Sequence, residues 1–266
     1  MKSPKQESIE KKILALLSGM PLKAAQRLIG DKEIQHLQDY ANTVSIKRLN
    51  YNDHGPVHMR KVVLNALMIL DLLERAGIKL SLEKEGIGTC DDSRIVVLVA
   101  SFLHDIGMTV GRENHEQIGV TFALPIIERI LLSLYPDSSE KRVILRSLIT
   151  EGIIGHMGTQ MIHSLEAGVV LIADGCDMEQ GRARIPMMMN TESKIGDIHK
   201  YSSSAIESVA IDRGDATPIK IMVRMSESVG FFQVEEILLK KINSSPIKPY
   251  IELFAGVSGQ RMKRYL

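Results

Sequence analysis

Eight histidines are spread along the 266 residues, and the informative ones sit where apolar segments begin or end. His104 and Asp105 close a long apolar run, in Ala100-Ser101-Phe102-Leu103-His104-Asp105-Ile106-Gly107. His58 opens another, His58-Met59-Arg60-Lys61-Val62, and Asp174 follows a third, Gly168-Val169-Val170-Leu171-Ile172-Ala173. An adjacent imidazole and carboxylate at the end of a buried helix are expensive to desolvate unless something binds them. Two arrangements satisfy them. They can hydrogen-bond to each other within the core, or they can share a metal ion, which neutralises the carboxylate and accepts the imidazole lone pair.

Helices must position these residues, and most of the chain reads as helix. Apolar residues recur at helical spacing over 9–17 and 22–40, with a break at Gly30-Asp31. Asn50-Tyr51-Asn52-Asp53-His54-Gly55-Pro56 is a polar loop, and Pro56 suits the first position of a helix running to about Ala76, stopped by Gly77. That helix is apolar on most faces, which predicts a central, buried position. Residues 77–92 read as loop, and Asp92-Ser93 as the cap of a helix from Arg94 to about Ile106. Further helices fit 115–134, 140–154 and 164–173. Beyond about 214 the pattern changes: 219–225 alternates like a strand, 234–242 like an amphipathic helix, and 250–257 like a second strand. The expected fold is therefore mainly α, with a small C-terminal α/β (β-α-β) module. Residues 1–50 supply helices packed on the core, 51–213 the domain that bears the chemistry, and 214–266 the module.

The order histidine, histidine–aspartate, aspartate resembles that of the HD superfamily of metal-dependent phosphohydrolases, and His104-Asp105-Ile106-Gly107 reads literally as its HDIG motif. The resemblance covers roughly residues 50–190. It implies that His58, His104, Asp105 and Asp174 bind a first metal ion. The segment opening at His115-Glu116-Gln117-Ile118-Gly119 is similar to the one that follows HDIG in ribonuclease Y and HD-GYP proteins. Gly155-His156-Met157-Gly158 is similar to their His-His-Gly element, with Gly155 in place of the first histidine, which argues against a third metal. His115 and His156 are thereby implied as ligands of a second ion, with Asp105 bridging. Two divalent ions about 4 Å apart lower the pKa of a bridging water toward neutrality and offset charge developing on a phosphate. Mixed imidazole and carboxylate ligands favour Mn²⁺ or Fe²⁺, with Mg²⁺, Co²⁺, Ni²⁺ and Zn²⁺ left open.

His54 lies four residues before His58. That pair resembles the Tyr-His-Asn-x-x-His element of cyclic-nucleotide phosphodiesterases, which implies His54 as the general acid for the leaving group. As a loop residue it could instead cap or orient the loop, or ligate metal itself. The segment after Asp174, through Arg182 and Arg184, resembles the loop following the last ligand of ribonuclease Y. Both arginines could grip a substrate phosphate with forked hydrogen bonds, or pair with Asp177 or Glu179. His199, beside Tyr201-Ser202-Ser203-Ser204, could line the substrate pocket or stand at the surface. His36 and His163 read as structural. Several features depart from the resemblance. Met108 stands where many HDIG proteins carry a phosphate-touching lysine, and no Gly-Tyr-Pro element follows. The RNA-binding module of ribonuclease Y is absent. The C-terminal module has no counterpart, and is expected to pack, dimerise or bind an effector.

The function these features imply is metal-dependent hydrolysis of a phosphate ester, mono- or diester, in a small nucleotide-like substrate, with a metal-bridging hydroxide as nucleophile. Two alternatives stand beside it: a non-hydrolytic nucleotide- or metal-sensing protein, against which six intact ligands argue, and a ribonuclease. Lys plus Arg is 33 and Asp plus Glu is 32, a formal charge of +1, which argues against a nucleic-acid partner. Two cysteines, Cys90 and Cys176, suit free thiols in a reducing compartment. The polar N-terminus lacks a signal peptide, and the apolar runs read as too short to span a bilayer. A cytoplasmic protein, in all expectation a homo-oligomer, follows.

Overall fold

An apolar helix end can hold polar ligands only if other helices close around it, and the chain supplies that enclosure. The computed structural model describes residues 2–180 and 198–266. A helical body comes first: α1 (Pro4–Ala15), α2 (Gly19–Gly30), α3 (Lys32–Thr43), α4 (Pro56–Arg75), the short α5 (Ser81–Lys84), α6 (Cys90–Leu103), α7 (His115–Leu134), α8 (Ser139–Gly155), α9 (Leu165–Gly175) and α10 (Ile198–Ser204). A small sheet follows, so the chain is mainly α with a C-terminal α/β module.

The innermost helices are α6 and α9. Every residue of α6 from Ile95 to Leu103 is buried, and so is the whole of α9, as expected for helices apolar on all faces. The central position expected for α4 belongs to them instead. Helix α4 buries Val62, Val63, Ala66, Ile69, Leu70 and Leu73 against α6, α9 and α1, but leaves Met68 37% exposed on its outer face. Its start follows the expectation, with Pro56 at the first turn, and Gly77 beyond its end adopts φ +73°. Helix α6 starts earlier than expected. Thr89 is its cap, and Asp92 is the third helical residue of a capping box that satisfies the Thr89 backbone amide in return. Asp92 also accepts from Tyr135 Oη at 2.6 Å and Lys141 Nζ at 2.7 Å, so α6 is tied at its start to α7 and α8.

Helix α7 is long and apolar enough to cross a membrane by length and composition, with a mean hydropathy of 1.5. The expectation that every apolar run is too short is corrected on that point. Here α7 packs one face on the body and leaves Phe122, Leu124 and Leu132 exposed on the other. His115 and Glu116 at its start are buried, and Ala123, Ile126, Ile127, Ile130 and Leu131 join the core.

The N-terminal helices are pinned by one fully buried arginine. Arg60 of α4 donates from Nε to Glu10 Oε1 of α1 at 2.7 Å, from Nη2 to Gln35 Oε1 of α3 at 3.2 Å, and from Nη1 to Gln38 and to Pro56 O at 3.2 Å. Gln38 in turn donates to Phe102 O of α6 at 2.7 Å, below the guanidinium.

In the module, β2 (Ile219–Met225) runs parallel to β3 (Ile251–Val257), and α11 (Leu239–Ser244) lies in the connection, as a β-α-β unit requires. Two strands extend it. Strand β1 (Ile206–Arg213) is antiparallel to β2, and β4 (Lys263–Arg264) antiparallel to β3, giving the order β1-β2-β3-β4. The sheet thus begins at Ile206, ahead of the boundary expected at 214.

Candidate metal centre

Each candidate histidine is held by a local bond that follows from its place on a helix. His104 and His156 cap the C-termini of α6 and α8, where the last carbonyls lack helical partners. His104 Nδ1 lies 2.9 Å from Ser101 O and His156 Nδ1 2.6 Å from Ile153 O, each three residues back. His115, at the first turn of α7, repeats the device with Arg112 O at 2.9 Å. His58, in the first turn of α4, has Nδ1 2.7 Å from Asp177 Oδ2. A carbonyl or carboxylate oxygen only accepts, so in all four rings Nδ1 carries the proton and the neutral ring's lone pair lies on Nε2.

Those four Nε2 atoms face inward onto two carboxylates. His58 Nε2 lies 3.2 Å from His104 Nε2, 3.2 Å from Asp105 Oδ2 and 3.2 Å from Asp174 Oδ1. His104 Nε2 lies 3.3 Å from Asp105 Oδ2 and 3.8 Å from Asp174 Oδ1. On the other side of Asp105, Oδ1 lies 3.2 Å from His115 Nε2 and 3.3 Å from His156 Nε2, which are 3.1 Å apart. Lone pairs confronting lone pairs at these distances repel unless a cation stands among them. Ligand atoms about 2.1 Å from one ion lie about 3.0–3.5 Å from each other in octahedral or tetrahedral geometry, so the spacing fits a metal. These buried His/Asp groups could hold a metal ion.

The electrostatics agree with that donor set. Burial pushes the Asp105 carboxyl up, but His104, His54 and His115 around it hold it well below the usual carboxylate range. Asp174 is pushed up by burial and held well below its ordinary value by Lys241 and His58. Burial drives the His156 imidazole down to about 4, so this ring is neutral at pH 7 and offers its lone pair with no proton to displace. His115 is lowered by burial but raised overall by Asp105.

The glycine of His104-Asp105-Ile106-Gly107 has a steric reason. A Cβ at Gly107 would stand 1.9 Å from His115 O and 2.6 Å from Gly119 N, both backbone atoms of α7. The turn carrying Asp105 and the helix start carrying His115 can approach only across a bare backbone. Gly107→Ala is expected to force them apart, lowering stability by about 1–3 kcal/mol and weakening metal binding by about 10–100-fold. Thermal melts and metal titration of the stripped protein measure both. At Gly155 a Cβ would meet Ile162 Cγ2 at 2.0 Å, so a side chain where the resemblance would place another histidine requires Ile162 to move.

Comparison with known proteins finds a relative along almost the whole chain. Over 245 residues, 92% of this chain and 92% of its relative, the sequence is 37% identical to one from Methanocaldococcus jannaschii named uncharacterized protein MJ1020. The chain belongs to the MJ1020 family. No family model and no solved structure matches it.

In this member of the MJ1020 family the structure brings His58, His104, Asp105, His115, His156 and Asp174 together, with His54 beside them. Asp105, Asp174, His156 and His54 line a cavity of about 310 Å³. His54 Nδ1 lies 2.6 Å from Asn52 O and 2.9 Å from Ser45 Oγ, and Ser45 belongs to a π-helical turn at Val44–Arg48. His199 is not brought in. It stands exposed near the start of α10, edge-on to Phe232 at 5.1 Å, and is not among the residues lining the cavity. Arg182 and Arg184 lie outside the described residues. His36 and His163 are exposed, and Met108 is wholly buried in the core.

Three residues that sequence reasoning left out, or weighed differently, complete the site. Asp177, weighed as a partner for an arginine, orients His58 and forms an ion pair with Lys61 Nζ at 2.8 Å. Lys241 of α11 pairs with Asp174 Oδ2 and donates to His156 O at 2.8 Å. Arg112 lines the cavity near His156. Gln233, Ile237 and Lys240 accompany Lys241, so the C-terminal module walls the cavity as well as packing on the body. A Lys61-to-Glu179 bond at 2.8 Å and a Glu179-to-Val209 N bond at 3.2 Å tie that wall to α4.

Proposed function

We propose that the chain is a metal-dependent phosphohydrolase of the HD superfamily, acting on a phosphate ester in a small nucleotide-like molecule. The observation that carries this reading is Asp105: each of its oxygens faces a separate pair of imidazole Nε2 atoms. One set would be Asp105 Oδ2 with His58, His104 and Asp174. The other would be Asp105 Oδ1 with His115 and His156, a smaller set that leaves more positions open. Two divalent ions there, Mn²⁺ or Fe²⁺ by the mixed donor set, would supply a water of lowered pKa and positive charge for phosphate oxygens. A cavity of about 310 Å³ suits a small molecule, and the near-balanced charge speaks against a nucleic acid. Free Cys90 and Cys176 fit a cytoplasmic setting.

The chain's own residues would divide the work. Asp177 and three backbone carbonyls hold the imidazoles in one tautomer. Lys241 keeps Asp174 ionised and turned toward His58. His54, oriented by Asn52 O and Ser45 Oγ, would carry a proton on Nε2 to the leaving oxygen. His54→Ala is then expected to slow an ester with an alkoxide leaving group about 10²–10⁴-fold, and a p-nitrophenyl ester far less. Equal losses on both would remove His54 from that role.

The reading is tested by stripping the protein, reloading it with each candidate ion, and assaying nucleotides, cyclic dinucleotides and model phosphate esters. Turnover that depends on the ion supports it. Stoichiometric metal with no turnover on any ester would move the function to sensing.

A further inference from the structure

We infer that Arg112 is the phosphate-gripping residue of this site, holding two oxygens of a substrate or product phosphoryl group beside the His115–His156 pair. The inference rests on the phosphohydrolase reading and adds to it the part of the chain that recognises the anion.

Among the described residues, three cationic side chains line the cavity: Arg112, Lys240 and Lys241. Two of them are engaged. Lys241 is taken by Asp174 and by His156 O, and Lys240 Nζ lies 2.5 Å from Glu236 Oε2. Arg112 has no carboxylate partner among the described residues. It is half-buried, and its guanidinium rests on a thioether, with Nη2 3.5 Å from Met157 Sδ. Five N–H donors in a fixed fork are poorly served by one weak sulfur acceptor, whereas a phosphate oxyanion matches the fork in shape and charge.

Its position is as telling as its lack of a partner. The Arg112 carbonyl accepts from His115 Nδ1, and its side chain lies against the residue that follows His156. One residue thus fixes a ligand with its backbone and reaches past the neighbouring ligand with its charge. The set formed by Asp105 Oδ1, His115 and His156 has fewer protein donors than its neighbour, so a phosphate oxygen would enter there, next to Arg112. The loop from Val110 to Asn114 carries it, with Asn114 in the left-handed region at φ 52° to start α7.

The test is calorimetric titration of inorganic phosphate into the metal-loaded protein, for the wild type, Arg112→Ala and Arg112→Lys, with metal content measured on the same samples. Loss of a charge-assisted hydrogen-bonding fork is expected to raise Kd for phosphate about 10–100-fold in Arg112→Ala. Arg112→Lys, which keeps the charge and loses the fork, should fall between, and metal content should be unchanged in both. A Kd within twofold of wild type in both variants at full metal content overturns the role of Arg112 and leaves the phosphohydrolase reading standing. A loaded wild-type protein that binds no phosphate also overturns the role of Arg112, while the phosphohydrolase reading stands or falls by ion-dependent turnover. Should the alanine variant fail to fold, the lysine variant alone decides.

Discussion

Asp105→Asn is expected to remove metal and activity together. The substitution conserves size, so the core around residue 105 keeps its packing, yet it replaces one of two acceptor oxygens by an NH₂ donor and abolishes the charge. Each oxygen of Asp105 meets two imidazole nitrogens, at 3.2 and 3.3 Å on both sides. Whichever way the amide turns, one of the two ligand sets loses its carboxylate oxygen. Among the described residues no other carboxylate stands between the two sets, and His104, which also neighbours His156, offers a single nitrogen. Metal content by elemental mass spectrometry should fall well below that of the wild type. Turnover should fall to the uncatalysed level, a loss of at least about 10⁶-fold for an ordinary enzyme. Circular dichroism should be unchanged. Wild-type metal content in Asp105→Asn would contradict the bridging role, whatever its activity.

The second large effect is on stability and comes from the opposite side of α4. Arg60 is 0% exposed and is bonded to α1, α3 and the start of its own helix. Arg60→Ala leaves Glu10 buried with only Lys2 as a charged partner and strands the amide oxygen of Gln38, while Gln35 Oε1 keeps the Gln6 amide at 2.7 Å. Removing one member of a buried ion pair costs about 3–5 kcal/mol. For a domain of this size that lowers Tm by about 10 °C. The pH dependence has a definite sign. Burial raises the Glu10 pKa, but Lys2 and Arg60 lower it overall, so the folded value lies below the unfolded one. The pair therefore stabilises fully above the ordinary carboxylate range, and its contribution is lost as pH falls through the folded pKa. Urea unfolding at pH 7 should show the full deficit of the variant, and the gap to wild type should narrow below about pH 4. A difference below 1 kcal/mol at pH 7 would show that the N-terminal helices are held by apolar packing alone.

The parts of the site legible in the sequence are those whose residue type and local setting are both unusual. A histidine–aspartate pair ending an apolar helix carries its own signal, and so does an aspartate at the end of Gly168–Ala173. His115 and His156 have no such signal individually. Only the resemblance of the segments around them singled them out, and folding brings them to the second oxygen of Asp105. Asp177 and Lys241 were hidden for a different reason. Their partners lie 119 and 67 residues away in the chain, and a charged side chain gives no local sign of which distant group it will meet. Arg112 is similar, since an arginine in a polar loop reads as solvated surface until the cavity beside it is seen. His199 shows the converse: a histidine beside three serines suggests a pocket lining, but folding leaves it at the surface.

The secondary structure was legible wherever one period ran unbroken. Strand β2 alternates and β3 is apolar except for Glu252, and both follow from pattern. Strand β1 does not, because its register shifts between Ile206 and Ser208 and the irregularity breaks the period of two. The start of α6 was misplaced because Asp92 looks like a cap, whereas Thr89 three residues earlier takes that role and Asp92 completes the box. The central position expected for α4 from its apolar character on most faces went to α6 and α9 because its outer face, with Met68, is covered only in part.

The most direct test of the account is where metal sits. Crystals of protein reloaded with Mn²⁺ should be measured on both sides of the manganese absorption edge. Two anomalous peaks are expected per chain: one among His58, His104, Asp105 and Asp174, and one among Asp105, His115 and His156. A single peak, or peaks away from Asp105, would contradict the two-ion centre on which the proposed chemistry depends.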